Sequence, residues 1–150
     1  MAHRSPERPH PSVWILTRGR QGDLDQMQTL AAALGWPAEV KRLAFHHPHI
    51  PAFASLLLKR QSDALDPPWP DLLICSEALP SVIAYRLKKK SGGRIRIVCL
   101  GRPAGDPAGF DLILTTAQYR LPPAHNIVQL ALPLSGGSGI SPEAATPLAD

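Results

Sequence analysis

Val13-Trp14-Ile15-Leu16-Thr17, followed by Arg18-Gly19-Arg20-Gln21-Gly22-Asp23 and then by Leu24, Met27, Leu30, Ala31 and Leu34, is the stretch on which the fold turns. Consecutive apolar or β-branched residues without alternation suit a strand buried on both faces. Two glycines, Gly19 and Gly22, punctuate the segment after that run. From Leu24 the apolar residues recur at three and four positions, the period of a helix with one buried stripe, and Gly35 supplies a stop. Asp23 precedes Gln26 by three positions, the spacing of a capping box, so Asp23 is expected to cap the helix. Strand, glycine turn and helix thus run together in the opening of the chain.

The alternation continues downstream. Glu39-Val40-Lys41-Arg42-Leu43 alternates polar and apolar residues, as a second, less buried strand does. His46 to Pro51 reads as a loop, Pro51 opens a helix carrying Phe53, Leu56 and Leu57, and Asp66 to Pro70 is a stiff connector. Asp71-Leu72-Leu73-Ile74-Cys75 is a third strand. The helix after it has Pro80 in its first turn, Val82, Ile83 and Leu87 on its inner face, and an end at Ser91-Gly92-Gly93. Arg96–Leu100, Asp111–Leu114 and Asn126–Leu130 are the fourth, fifth and sixth strands. Strands apolar on both faces, interleaved with helices, predict a doubly wound α/β fold: a mostly parallel, Rossmann-like sheet of about six strands with helices on both faces. Its expected extent is 12–134, after a disordered tail over 1–11. From Ser135 the Ser-Gly-Gly-Ser-Gly run, with Pro142 and Pro147, reads as a linker over 135–150 to a missing carboxyl-terminal domain.

Bulk composition narrows the function classes. At 150 residues and 44% hydrophobic, the chain suits one domain with its own core. The 17 prolines are about twice the usual share of roughly 5%, but they sit at the edges of apolar runs, as punctuation of a folded domain. A formal charge of +4 is mildly basic; it permits contact with an anionic surface and gives no ground for a nucleic-acid partner. Cys75 and Cys99 lie in apolar runs and suit reduced core thiols of a cytoplasmic protein. No apolar run approaches the roughly 20 residues of a membrane span, and the first dozen residues hold nothing like a secretion signal.

In an open parallel sheet, ligands bind where the strands end and the chain leaves toward the helices. The candidate residues are therefore those after each strand. After the first come Thr17, Gly19, Gly22 and Asp23, with Gln26 one turn on. Gly-x-x-Gly is neither a dinucleotide fingerprint nor a Walker pattern, so no cofactor is expected, and the loop reads either as a tight turn or as a wall facing a ligand. After the third strand, Ser76 either caps the next helix or bonds a ligand hydroxyl, and Glu77 is a possible general base. After the fourth, Gly101-Arg102-Pro103 presents a guanidinium fork either to an anion or to solvent. After the fifth come Thr115, Thr116, Gln118, Tyr119 and Arg120, polar groups at the floor of a cleft or of an ordinary loop. His46-His47-x-His49 matches no standard metal-ligand spacing, so no metal site is assigned. His125 precedes the sixth strand, at the sheet's wrong end for catalysis, and there is no Gly-x-Ser-x-Gly elbow, so the catalytic residue is left unknown. The basic run Arg86, Lys88, Lys89, Lys90, Arg94 and Arg96 either complements a helix dipole or offers peripheral contact to a membrane.

Several blocks in order carry a family resemblance. Gly19-x-x-Gly22-Asp23-x-x-Gln26, Leu34-Gly35-Trp36 and Val40-Lys41-Arg42 open it. Pro68-Trp69-Pro70-Asp71-Leu72, Gly101-Arg102-Pro103 and Phe110-Asp111-Leu112-Ile113 continue it. Thr115-Thr116-x-Gln118-Tyr119-Arg120-Leu121-Pro122, Asn126-Ile127-Val128 and Leu132-Pro133-Leu134 complete it. Over residues 12 to 134 the chain resembles the amino-terminal half of the mitochondrial fission "elongated mitochondria" family.

The resemblance implies a relation to GT-B glycosyltransferases, in which two Rossmann-like domains face each other across a cleft. The first usually holds the acceptor and the second the nucleotide-sugar donor. By that implication the chain is an acceptor-side domain, inactive alone and glycosyltransferase-like when completed, with a nucleotide-sugar or glycan substrate in the full-length protein. Thr17, Gly19, Gly22, Asp23, Gln26, Ser76, Gly101, Arg102, Gln118 and Tyr119 would then line one wall of the cleft, with Gly22 allowing close approach, Arg102 steering an anionic group and Gln118 bonding a sugar hydroxyl. The plant member recruits a dynamin-like fission protein, which implies the alternative of an adaptor at a membrane surface; a third alternative is a fragment without independent function. The chain departs from the family at Cys75-Ser76-Glu77-Ala78, where members often carry a Gly-Arg-Arg/Ser-like stretch, and in lacking the glycine-rich loops of the carboxyl-terminal half.

Overall fold

The computed structural model describes residues 10–43 and 63–135. The helix expected from Pro51, the histidines His46, His47 and His49, and nearly all of the expected tail and linker lie outside the described residues. Six strands form one sheet: β1 (Val13–Thr17), β2 (Ala38–Arg42), β3 (Leu72–Ala78), β4 (Arg96–Pro103), β5 (Leu112–Thr116) and β6 (Ile127–Leu130). Their order is β2-β1-β3-β4-β5-β6 and every neighbouring pair is parallel. Helix α1 (Gln21–Leu34) follows β1 and helix α2 (Leu79–Lys90) follows β3.

The two sheet faces are built from alternate residues of each strand, as the pleat requires. Val13, Ile15, Ile74 and Leu100 pack with Leu24, Met27 and Ala31 of α1. Leu16, Leu73, Cys75, Ile97, Cys99 and Ile113 pack on the other face with Ala84 and Leu87 of α2. Ile15, Leu16, Leu73, Ile74, Ile97 and Ile113 are fully buried, each contributing roughly 1.5–3 kcal/mol of apolar burial. Cys75 and Cys99 are register partners at the sheet centre. Burial, then the hydrogen bond and charge of Cys99, push the Cys75 thiol well above its usual range.

Winding direction explains how these faces are covered. The connection through α1 steps left from β1 to β2, and every later strand lies to the right. Right-handed crossovers place a left-stepping helix on one face and right-stepping helices on the other, and α1 and α2 obey this rule. The α1 face therefore carries no helix over β4 to β6 among the described residues, although Leu134 packs against it. Val98, Leu112, Leu114 and Leu130 are only half-buried there, and Val128 is 45% exposed.

Several local expectations need correction. The strands run further than apolar content indicates: β3 to Ala78, β4 to Pro103 and β5 to Thr116. Polar residues stay in the ladder because neighbours supply their backbone partners, as Leu100 does for Ser76 and Leu130 for Thr116. Helix α1 begins at Gln21, with the Leu24 N–H donating to the Arg20 carbonyl at 3.0 Å. Asp23 thus lies inside the first turn and is not the cap, although its charge still complements the positive end of the helix. Ser76 does not cap α2, because that position belongs to Ala78. The buried face of α2 is Pro80, Ser81, Ala84 and Leu87, with Val82 and Ile83 half-buried. The small Ala84 lets the helix sit close on the sheet.

Candidate functional site

The sheet changes winding direction between β1 and β3, so the chain leaves their carboxyl ends in opposite directions and opens a crevice. Beside it, between the start of α1 and the carboxyl ends of β3 to β6, lies a recess with a cavity volume of about 60 Å³ that opens to solvent. Asp23 and Gln26 of α1 form one wall, and Ser76 and Glu77 of β3 form the next. Leu100, Leu114 and Leu130 provide an apolar floor. Thr116, with Gln118 and Tyr119 from the 3-10 turn Ala117–Tyr119, closes the far side.

Glu77 is held there by an unusual piece of backbone. The β3–β4 register shifts between Ser76 and Ala78, and Ala78 adopts φ 59°, ψ −130°, a region that costs a non-glycine residue about 1–3 kcal/mol. This sharp elbow turns the chain from β3 into α2. The fully buried Ser81 hydroxyl fixes it, donating to the Ala78 carbonyl and accepting from the Ala104 N–H at 2.9 Å. Opposite, Gly101 sits at φ +92°, and a Cβ there would stand 3.3 Å from both Glu77 Oε2 and the Tyr119 hydroxyl. The absent side chain lets these two groups converge. Burial, then the Glu77 charge, push the Tyr119 phenol above its usual range, against a smaller effect of Gln118. Tyr119 is therefore a neutral hydroxyl donor at neutral pH.

Thr116 Oγ1 is the one buried side-chain oxygen or nitrogen among the described residues without a hydrogen-bond partner, and Thr116 is one of the residues that line the recess. Buried polar groups are rarely left so unless something else satisfies them.

Of the residues singled out in the sequence, Asp23, Gln26, Ser76, Gly101, Gln118 and Tyr119 come together in the recess. Four others do not line it. Thr17 is fully buried, with its hydroxyl accepting from the Gly19 N–H at 3.0 Å. Gly19, at φ +90°, makes that turn. Gly22 lies in the first turn of α1 with no atom within 4 Å of where its Cβ would stand. Arg102 is exposed and donates to the Tyr119 carbonyl at 3.2 Å, bracing the turn that carries Tyr119. The sequence also points to Glu77 as a possible general base and to Thr115 and Thr116 as polar groups after the fifth strand, and all three line the recess; the floor leucines Leu100, Leu114 and Leu130 carry no such signal, because they read as strand interior.

The basic run is divided. Lys88 Nζ reaches Asp111 Oδ2 at 2.7 Å, and Arg96 reaches Asp111 Oδ1 at 2.9 Å. Arg86, Lys89 and Lys90 are exposed at the far end of α2, roughly 18 Å from its start by the 1.5 Å rise per residue. They stand at the end of the sheet opposite the recess.

Residues 21–131 match the family model for mitochondrial fission ELM1. The chain belongs to the mitochondrial fission ELM1 family. The match begins at the first residue of α1 and reaches just past β6, so every wall of the recess but Pro133 falls within the ELM1 region. No curated protein and no solved structure matches the chain. Among the described residues of this ELM1 member, no helix is long and apolar enough to cross a membrane.

Proposed function

We propose that the recess binds a hydroxylated acceptor, a glycan or other polyol, and that the chain is the acceptor-side domain of a glycosyltransferase-like protein. On this reading a partner domain supplies the nucleotide-sugar donor, and the chain alone binds without turnover. The observation that carries it is the buried, unpartnered hydroxyl of Thr116, a residue of a recess whose walls also carry amides, hydroxyls and carboxylates. Sugar hydroxyls donate and accept at once, and such a wall answers both needs. The apolar floor of Leu100, Leu114 and Leu130 suits the C–H face of a sugar ring. The exposed Arg86, Lys89 and Lys90 lend support to a membrane-surface adaptor, but Lys88 and Arg96 of that run are committed to Asp111.

Thr116→Val tests the reading, because its two effects have opposite signs. Removing an unsatisfied buried hydroxyl leaves the ligand-free melting temperature unchanged or higher, since a buried unsatisfied oxygen costs about 1–3 kcal/mol. Binding of mono- and disaccharides, followed by saturation-transfer NMR, weakens by about 2- to 10-fold, the value of one hydrogen bond of roughly 0.5–1.5 kcal/mol. A wild-type chain that binds no saccharide sinks the proposal.

A further inference from the structure

The protein as a whole carries a net charge of +4, yet among the described residues its recess is lined by two carboxylates, Asp23 and Glu77, and by no lysine, arginine or histidine. The cation expected to steer an anion, Arg102, is instead occupied with the Tyr119 carbonyl. Building on the acceptor reading, we infer that the recess selects neutral or amine-bearing sugars against phosphorylated ones, with Glu77 as the selecting group.

Three features converge on that one side chain. The Ala78 elbow aims it, the bare α-carbon of Gly101 makes room for it, and Ser81 locks the elbow to the Ala104 backbone. The orphan Thr116 hydroxyl in the same recess is independent of all three and calls for a ligand atom there. A carboxylate accepts hydrogen bonds only, so it welcomes a hydroxyl or an ammonium group and repels phosphate oxygens. The positive end of α1 would favour an anion, but the Asp23 carboxylate, in its first turn, opposes one. Both carboxylates therefore act in the same direction. The Tyr119 phenol, which hydrogen-bonds Glu77 and Gln118, orients the Glu77 carboxylate in the recess.

The experiment compares methyl glucoside, glucosamine and glucose 6-phosphate as probes, each titrated into the full chain by NMR at low ionic strength. Methyl glucoside and glucosamine are expected to bind at least tenfold more tightly than glucose 6-phosphate. Glu77→Gln, which keeps the shape and an acceptor oxygen, narrows that ratio to threefold or less. Raising salt in the wild type narrows the ratio in the same direction, because charge repulsion at an open site is screened; this arm needs no variant to fold. Glucose 6-phosphate binding as tightly as methyl glucoside overturns the selection while leaving the acceptor reading standing. An unchanged ratio in a folded Glu77→Gln protein removes Glu77 from the role. Failure of all three probes to bind overturns both readings together.

Discussion

Asp111 shows how much one side chain can organise at the mouth of a strand. Its carboxylate accepts from Lys88 Nζ at 2.7 Å, from Arg96 at 2.9 Å and from the Ile97 N–H at 2.8 Å. Burial alone would raise its pKa, but Lys88, the Ile97 N–H and Arg96 outweigh it and hold the group below its usual value. A carboxyl depressed in the folded state stabilises the protein above its unfolded pKa of about 3.9 and loses that contribution as pH falls through the folded value. Asp111→Asn is therefore expected to cost about 1–3 kcal/mol at pH 7. The gap between variant and wild type should close as pH drops below about 4, read as melting temperature against pH. An equal gap at pH 7 and pH 3 would remove the charge from the explanation. The sequence showed Asp111 only as the first residue of a strand. Its partners, 14 to 23 residues away on α2 and β4, meet it only after the sheet has formed. Distance in sequence likewise hid the Glu77–Gly101–Tyr119 convergence.

Among the elements, the β3–α2 elbow is the strained one. Ala78 at φ 59°, ψ −130° is a conformation glycine adopts without a Cβ penalty. Ala78→Gly is expected to raise stability by up to about 1 kcal/mol, the strain relieved exceeding the added chain entropy of glycine. Urea unfolding measures this directly, and a loss of more than about 1 kcal/mol would show that the alanine methyl group is packed rather than strained. Elements as such were legible in the sequence. Apolar runs such as Val13–Thr17 and Leu72–Cys75 have no other reading once the intervening helical periods are seen, and all six strands lie where they were expected. What was not legible is where each strand stops. Ser76, Glu77, Arg102, Thr115 and Thr116 look like loop in isolation, yet pairing across the sheet keeps them in strands. That extension is what carries Ser76, Glu77, Thr115 and Thr116 into the recess wall on a rigid scaffold, a difference that matters for a binding site. Asp23 was misplaced for a related reason: the carbonyl of Arg20, not a side chain, starts α1.

At the scale of the whole molecule, one-sided winding leaves an apolar surface. Val128 is 45% exposed and Leu132 76% exposed, continuous with the half-buried Leu112, Leu114 and Leu130. Contiguous apolar patches on a soluble domain drive association. Val128→Lys combined with Leu132→Ser is expected to weaken concentration-dependent self-association in sedimentation velocity, while shifting stability by no more than about 0.5 kcal/mol, as exposed positions do. Unfolding of that variant would mean the face is core rather than surface. The opposite face holds Cys75 and Cys99 side by side, both fully covered. Deprotonation, alkylation and oxidation all require a reagent or water to reach sulfur. Because both thiols sit where β3 meets β4 at the middle of the sheet, modification there reports parting of the central strands rather than fraying of an edge.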